Sequence, residues 1–203
     1  MAEFFLQIDK ALFTFFNVTF TNRFFDTIMP ILTDMNKVWW GWVIFGGCYL
    51  LLIWKGGRKG RILGVVLLIL IGVSDQLSST FIKKIIMRPR PCHEINGQVI
   101  MEHIRLLVPC GSGYSFPSSH AVNSFAVATF LSVYYKKYYW AFFTYAIIIG
   151  YSRVYVGAHY PYDVFVGAMV GTVCALVMVY LLQLVGRYYS PLEIKISMID
   201  GRK

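Results

Sequence analysis

Long apolar runs separated by short polar loops are the feature that most restricts how this chain can fold. The clearest run, residues 62–82, has 21 residues, and a helix of that length, rising about 1.5 Å per residue, matches the hydrocarbon thickness of a bilayer. Further runs occupy residues 38–54, 116–134, 138–156 and 162–187. Because 57% of the residues are hydrophobic and 14% are charged, against about a quarter charged in soluble domains, we predict an all-α polytopic membrane helix bundle with five to six transmembrane helices.

Residues 3–20 have a different pattern, in which apolar residues at helical spacing alternate with Glu3, Gln7, Asp9 and Lys10. Such a segment is too short and too polar to span, and we expect an N-terminal amphipathic helix that lies in the interface. The whole chain, residues 1–203, is expected to form a single integral membrane domain. It comprises an amphipathic region at 1–34, a transmembrane core at 38–187 and a basic cytoplasmic tail at 188–203.

A polar stretch from Ser152 to Asp163 lies between two apolar runs and contains an arginine, a histidine and an aspartate. Titratable groups beside bilayer-length segments are costly and are usually functional. The guanidinium of Arg153 can bind a phosphate, His159 can act as a nucleophile, and Asp163 can fix the tautomer of the histidine. The stretch therefore predicts part of a phosphate-processing site, with a solvated polar loop as the alternative.

Two further polar clusters, at residues 83–91 and 117–120, lie at the end of one apolar run and at the start of the next. Because successive spanning helices alternate in direction, both clusters and the 152–163 stretch are expected at one face of the membrane. The opposite face then carries short loops with Lys55, Arg58, Lys59, Arg61, Lys136 and Lys137. Loops of this kind are cytoplasmic, so the three clusters are expected to face the exterior or periplasm.

Four cysteines divide into two classes by position. Cys92 and Cys110 bracket the polar loop on the proposed exterior face, where disulfides persist. Cys48 and Cys174 lie inside apolar runs and are interpreted as small apolar fillers. We predict a Cys92–Cys110 disulfide, with two free thiols as the alternative.

The three clusters read Lys83-x6-Arg90-Pro91, Pro117-Ser118-Ser119-His120 and Ser152-Arg153-x5-His159-x3-Asp163. In order, spacing and topology they resemble the tripartite signature of the type 2 phosphatidic acid phosphatase (PAP2) superfamily of membrane lipid phosphatases. The match covers about half of the chain. The family usually has glycine where this chain has Ser119, and the additional hydroxyl could crowd the phosphate.

The resemblance implies a role for each residue of the signature. His159 would be the nucleophile that forms a phosphohistidine, Asp163 would hold its ring and stabilise its charge, and His120 would protonate the leaving oxygen and then activate water. The implied phosphate-binding groups are Lys83, Arg90, Ser118, Ser119 and Arg153. No metal and no cofactor is expected, because side chains supply the cations.

Neighbouring residues receive structural interpretations. Asp75 is expected to face the bundle interior, where it is hydrogen-bonded or paired to a basic group. The side chains of Lys84 and Arg88 are expected to extend to the interface or to lipid head groups. Tyr155, Tyr160 and Tyr162 are assigned to the aromatic belt of the membrane interface, with a position lining the entry to the site as the alternative.

The expected function is that of a metal-independent hydrolase of phosphoric esters or anhydrides in the bacterial inner membrane, with its site facing the periplasm. Its only expected partner is a membrane lipid that carries a phosphate or diphosphate; the net charge of +9 is attributed to cytoplasmic loops and lipid head groups rather than to nucleic acid. Undecaprenyl pyrophosphate or lipid A 1-phosphate is favoured as substrate, because both are presented at the exterior face. Phosphatidylglycerol phosphate and phosphatidic acid are the alternatives.

Two other classes share parts of this pattern. Vanadium-dependent haloperoxidases have similar motifs, but they are soluble, and the apolar runs argue against that class. A non-catalytic membrane protein that binds or transports a lipid phosphate would need the cations but would not need both His120 and His159.

Overall fold

The computed structural model describes residues 2–95, 98–101 and 103–188. Within these residues the helices are α1 (Ala2–Thr14), α2 (Arg23–Thr33), α3 (Trp39–Lys55), α4 (Gly57–Gln76), α5 (Lys83–Ile86), α6 (Ser119–Tyr134), α7 (Tyr139–Tyr155) and α8 (Pro161–Tyr188). A π-helical segment, Leu77–Ile82, joins α4 to α5 in one rod. Beyond Tyr188, the basic tail predicted from the sequence lies outside the described residues.

The described part of the chain is helical apart from one minimal hairpin. Its strands are Glu94–Ile95 and Gln98–Val99, which pair antiparallel with Glu94 opposite Val99. Each of the five predicted apolar runs contains a helix, namely α3, the α4–α5 rod, α6, α7 and α8. The prediction of a helical fold is therefore confirmed.

Two of these helices are long and apolar enough, by length and composition, to cross a bilayer unaided. They occupy residues 57–86 and 161–186, with 30 and 26 residues. The other three long helices are shorter, at 17 residues for α3 and α7 and 16 for α6. Large apolar side chains are exposed along the bundle, among them Trp42, Leu68, Ile147 and Val173. Such surfaces fit a membrane environment.

Helix α6 occupies the centre of the bundle, where it packs on α8, α7 and α4. Its approach to α8 is close because α8 has Gly167 and Gly171 at the contact; a Cβ atom at Gly171 would lie 2.1 Å from the carbonyl oxygen of Val122. Small residues four apart allow this kind of close backbone packing between membrane helices. The packing sets the first turns of α6 and α8 side by side.

The N-terminal region is helical, as expected, and it is attached to the bundle through buried groups. Phe13 is fully buried and packs against the ring of Tyr160. The side-chain amide of Asn17, also fully buried, donates hydrogen bonds to the carbonyl oxygens of Arg105 and Tyr155 at 2.8 and 2.7 Å. These contacts hold one face of the region against the α7–α8 turn.

The polar loop between α5 and α6 is closed by a disulfide between Cys92 and Cys110, whose Cα atoms are 6.0 Å apart. The predicted bridge is therefore confirmed. Cys48 and Cys174 are free thiols. The closed loop includes His93, whose Nε2 lies 2.8 Å from the carbonyl oxygen of Gly111.

Replacing Cys92 and Cys110 together with serine is expected to lower the melting temperature of the purified protein. The bridge closes a loop across a sequence separation of 18, and loops of that size contribute roughly 3 kcal/mol of stability. Thermal unfolding in detergent measures the change. Cys48→Ser is the matched control and should leave the melting temperature unchanged. An unaltered melting temperature in the double variant, or four reactive thiols in the denatured, unreduced wild type, would contradict the structural role of the bridge.

Candidate active site

The turn between α7 and α8 sets Arg153, His159 and Asp163 close together. Arg153 lies in the last turn of α7, and its carbonyl oxygen accepts hydrogen bonds from the N–H groups of Ala158 and His159 at 3.0 and 3.1 Å. Gly157 permits the tight turn with a φ of +84°, a conformation that residues with a side chain rarely adopt. Asp163 then lies in the first turn of α8.

The start of α6 is bonded directly to the start of α8. The N–H group of Ser118 donates to the carbonyl oxygen of Asp163 at 3.0 Å. Ser118 precedes the first residue of α6, but its hydroxyl does not cap the helix. The free N–H groups of a helix N-terminus favour anions. Two of the predicted clusters are therefore joined at one end of the bundle.

His159 is held by its Nδ1 atom, and its side chain is almost completely buried, at 1% exposure. Nδ1 lies 3.5 Å from Oδ2 of Asp163 and 3.4 Å from the hydroxyl oxygen of Ser115. A carboxylate at Nδ1 favours the tautomer with the proton on that nitrogen. Nε2 is then the nitrogen with a free lone pair.

Both carboxylate oxygens of Asp163 are held by donors. Oδ2 accepts hydrogen bonds from the Ser115 hydroxyl and from the N–H group of Tyr160, the latter at 2.9 Å. Oδ1 accepts a hydrogen bond from Nη1 of Arg88 at 2.7 Å. Sequence reasoning missed Ser115, because a serine in a polar loop carries no distinguishing signal. It also assigned Arg88, two residues before Arg90, to the membrane interface, whereas the guanidinium of Arg88 pairs with Asp163.

The surroundings of the His159 ring favour its neutral form. Burial lowers the pKa of its imidazole to about 3; the charges of Arg153 and Arg90 also lower it, and Asp163 opposes them. A neutral imidazole keeps the lone pair that a nucleophile needs. Burial and nearby cations therefore favour the reactive form of the ring.

Thermal stability is expected to fall as the pH drops below about 6.5, the ordinary pKa of histidine. Between that pH and about 3, the unfolded chain binds a proton that the folded chain does not bind, so unfolding is favoured by at most about 1.4 kcal/mol per pH unit. Melting temperatures at pH 7 and pH 5 measure the slope. His159→Gln removes this titrating group and should lower the slope. An equal slope in both proteins would show that other groups cause the loss.

Two buried donors beside His159 have no hydrogen-bond partner among the described residues. They are Nε of Arg153 and the hydroxyl of Ser118, whose side chains are 6% and 0% exposed. Nη1 of the same guanidinium donates to the hydroxyl oxygen of Thr33 at 2.5 Å. Since buried polar groups are normally paired, these unpaired donors are suited to the oxygens of a phosphate.

Two further cations lie near Arg153. The Nε atom of Arg90 donates to the carbonyl oxygen of Gly113 at 2.7 Å, and the two residues flank the loop that the disulfide closes. The charges of Arg90, Arg153 and Asp163 all act on the ammonium group of Lys83. The three cations predicted to bind phosphate, Lys83, Arg90 and Arg153, are therefore brought to one place. Arg153 is far from the other two in the sequence.

His120 and Ser119 begin α6. The charges of Arg153, His159 and Lys83 act on the ring of His120, so this second histidine belongs to the same cluster. The hydroxyl of Ser119 accepts a hydrogen bond from the hydroxyl of Ser78 at 3.1 Å. The additional oxygen at this position is therefore hydrogen-bonded to the α4–α5 rod.

Asp75 faces the bundle interior, as expected. Its Oδ1 accepts a hydrogen bond from the side-chain amide of Asn123 at 3.0 Å, and the amide oxygen of Asn123 accepts one from Ser74 at 2.8 Å. The network joins α4 to α6 next to the site.

Three of the interface assignments are wrong. Tyr155 and Tyr160 are 0% and 2% exposed, so they do not belong to an aromatic belt, whereas Tyr162 is exposed and can. Arg88 is bonded to two carboxylates rather than to the interface. The expectation that basic and aromatic side chains at helix ends extend to the membrane interface applies to exposed helix ends. Here the N-terminal region packs over this end of the bundle.

One group of potential metal ligands occurs within the described ranges. Side-chain atoms of Cys92, His93 and Cys110 lie within 4.8 Å of one another. The two sulfur atoms are bonded to each other, so in this state they are not the thiolates that bind zinc.

Comparisons with known proteins bear on this arrangement. The family model of the PAP2 superfamily matches residues 61–187. The lipid A 4'-phosphatase of Bacteroides thetaiotaomicron is 32% identical over 173 residues, which are 84% of this chain and 75% of that protein. The undecaprenyl-diphosphatase BcrC of Bacillus subtilis is 26% identical over 70% of this chain and 67% of its own length. The crystal structure of Aquifex aeolicus LpxE has a TM-score of 0.68 and 29% identity, covering 84% of this chain and 93% of that one.

Proposed function

The chain belongs to the PAP2 superfamily and is a phosphatase, and from this premise we propose that it hydrolyses the terminal phosphate of a membrane lipid through a phosphohistidine intermediate. One observation carries the proposal. The buried His159 has Nδ1 against Asp163, and the unpaired donors belong to Ser118 and Arg153, which are bonded through their backbones to Asp163 and His159. A histidine oriented by a carboxylate and surrounded by anion-binding groups is equipped to attack phosphorus.

In the first step, Nε2 of His159 attacks phosphorus, and the bond from phosphorus to the lipid oxygen breaks. The electron pair of that bond goes to the lipid oxygen, which takes a proton from the protonated ring of His120 acting as general acid. The ring of His159 becomes positively charged, and Asp163 stabilises that charge. Lys83, Arg90 and Arg153 stabilise the phosphoryl oxygens as charge is redistributed.

In the second step, water attacks the phosphorus of the intermediate. His120, now neutral, takes a proton from the water as general base. The phosphorus–nitrogen bond breaks, its electron pair returns to Nε2 of His159, and inorganic phosphate leaves. The enzyme is restored without any redox change.

The lengths of the helices and the charges of their loops support a proposed membrane arrangement. Helix α3, the α4–α5 rod, α6, α7 and α8 are proposed to cross the bilayer, with the loops at 55–61 and 136–137 in the cytoplasm. The site then faces the periplasm of a bacterial inner membrane. Labelling of single cysteines with an impermeant reagent tests this: Tyr114→Cys should react in intact spheroplasts and Arg58→Cys only after lysis. The reverse pattern would overturn the orientation.

The proposed substrate is a phosphorylated lipid A or undecaprenyl diphosphate, both of which present phosphate at the head of a large lipid. The similarity to a lipid A 4'-phosphatase covers more of the chain, 84%, than the similarity to the undecaprenyl-diphosphatase of Bacillus subtilis, which covers 70%. Lipid A is therefore placed first. That relative's name indicates the 4' position, whereas the sequence reading favoured the 1 position.

A lipid panel tests the proposed function. Wild type and His159→Ala are incubated with lipid A, undecaprenyl diphosphate, phosphatidylglycerol phosphate and phosphatidic acid, and released phosphate is measured. Mass spectrometry of the lipid A product identifies whether the 1- or the 4'-phosphate was removed. We expect release by wild type alone. A wild type that releases no phosphate from any of these lipids, or a His159→Ala variant equal to wild type, would sink the proposal and favour a lipid-phosphate binding or transport protein.

A further inference from the structure

A carboxylate from the N-terminal helix is buried next to the site. Asp9 lies in α1 and is 5% exposed, although it lies outside the residues 61–187 that match the family model. Its Oδ1 accepts a hydrogen bond from the N–H group of Tyr162 at 2.9 Å, and its Oδ2 accepts one from Nη2 of Arg88 at 2.7 Å. A buried charge is costly unless it is paired, so this arrangement requires an explanation.

Arg88 bridges Asp9 to the carboxylate that holds the histidine. Its Nη1 donates to Oδ1 of Asp163 at 2.7 Å, while Nη2 donates to Asp9. The guanidinium carbon lies 4.1 Å from the centre of the Tyr160 ring, which restricts its orientation. A planar guanidinium can hold two carboxylates in fixed positions, which a lysine cannot do. The chain of contacts therefore runs from α1 through Arg88 and Asp163 to His159.

The charges of the residues in this series of contacts complement the proposed reaction. Asp9, Arg88 and Asp163 together carry one net negative charge while the His159 ring is neutral. When the ring is phosphorylated on Nε2 it becomes positive, and the sum of the four groups becomes zero. Without the charge of Asp9, the Arg88 cation would cancel Asp163 before the ring became charged. The stabilisation of the intermediate would then be weaker.

We propose that Asp9 and Arg88 are positioning residues of the active site, so that the N-terminal helix is part of the catalytic apparatus and is not only a membrane-surface anchor. The inference rests on the proposed function of His159 as nucleophile. Arg88 fixes Oδ1 of Asp163, which leaves Oδ2 towards His159, Ser115 and the N–H group of Tyr160. Asp9 keeps Arg88 in place and offsets its charge.

A purely structural role for Asp9 is the competing explanation, and the chain offers a matched control. Asp26 of α2 pairs with Arg105 at 2.6 Å and accepts a hydrogen bond from Tyr155 at 2.7 Å. It also attaches the N-terminal region to the bundle, but it has no contact with Asp163 or His159 among the described residues. Asp26→Asn therefore weakens attachment without altering the carboxylate that faces the histidine.

The test measures kcat, KM and single-turnover formation of the phosphoenzyme in wild type, Asp9→Asn, Arg88→Lys and Asp26→Asn. Asp9→Asn and Arg88→Lys are expected to lower kcat and the rate of phosphoenzyme formation by about 10- to 100-fold, the range found when outer partners of a functional ligand are removed. KM should change less than about twofold, since the phosphate-binding cations are intact. Asp26→Asn should keep the wild-type kcat.

Each possible result either supports or overturns the positioning role of Asp9 and Arg88. An unchanged kcat in Asp9→Asn, or an equal loss in Asp26→Asn, would overturn the positioning role while leaving the proposed function intact. Should Asp9→Asn fail to fold, Arg88→Lys supplies the decision, because it keeps a cation beside both carboxylates but cannot hold them in parallel. A wild type that is inactive on every lipid would instead overturn the proposed function, and this inference with it.

Discussion

Replacing His159 with alanine is expected to lower phosphate release by about 10⁴-fold or more, as is found when the nucleophile of a covalent mechanism is removed. The expected loss is large because the phosphohistidine intermediate cannot form without the imidazole of His159. The lipid should still bind, since Lys83, Arg90 and Arg153 are untouched. Phosphate release from the preferred lipid measures the effect, and a lipid-binding assay separates it from loss of affinity.

Trapping the intermediate makes this prediction specific to the nucleophile. An alkaline quench of wild type with labelled lipid phosphate should show label on the protein, stable to alkali and labile to acid, as expected of a phosphorus–nitrogen bond. His159→Ala should show none. His103→Asn is the matched control, because His103 is exposed and has a φ of +59°, which asparagine tolerates. Label retained in His159→Ala would place the nucleophile on another residue.

Replacing His120 with alanine is expected to lower turnover of a lipid phosphate monoester by about 10²- to 10⁴-fold, the usual contribution of a general acid–base group. The leaving oxygen of such a lipid is strongly basic and needs a proton as the bond breaks. An aryl phosphate has a much better leaving group, so its first step should be far less affected. Its second step still needs the base that activates water, and the phosphoenzyme should therefore accumulate.

Rapid-quench kinetics with the two substrates tests the assignment of His120. The expected pattern is a burst of aryl alcohol equal to the amount of enzyme, followed by slow turnover, in His120→Ala only. Equal losses on the lipid and on the aryl phosphate, with no accumulated intermediate, would contradict a general acid–base role. His120 would then be interpreted as a polar residue at the start of α6.

The helices and the polar clusters were predictable because their signals are local. An apolar run of bilayer length indicates a helix whatever the rest of the sequence contains. His159 and Asp163 are four positions apart, so the tight turn into α8 is enough to bring them together. The disulfide was predictable for a similar reason, since Cys92 and Cys110 enclose one loop.

The surroundings of these residues were not predictable in the same way. Arg88 lies among basic residues at a helix end, where a side chain directed to the interface is the ordinary expectation. Its partners Asp9 and Asp163 are 79 and 75 residues away in sequence. Ser115 is 48 residues from Asp163. No local pattern distinguishes such residues from their neighbours.

The sequence by itself determined the helical class, the order of the clusters and the residue types that phosphate chemistry requires, because hydrophobic periodicity and motif spacing act over a few turns of helix. Only the tertiary structure decided which of the basic residues holds Asp163, that Tyr155 and Tyr160 are buried, and that Asp9 of α1 is paired to Arg88 beside the site. The physical reason is that a buried charge or hydroxyl must find a partner wherever the packed helices place one. Which partner the buried group finds depends on the distances between elements that are far apart in the sequence.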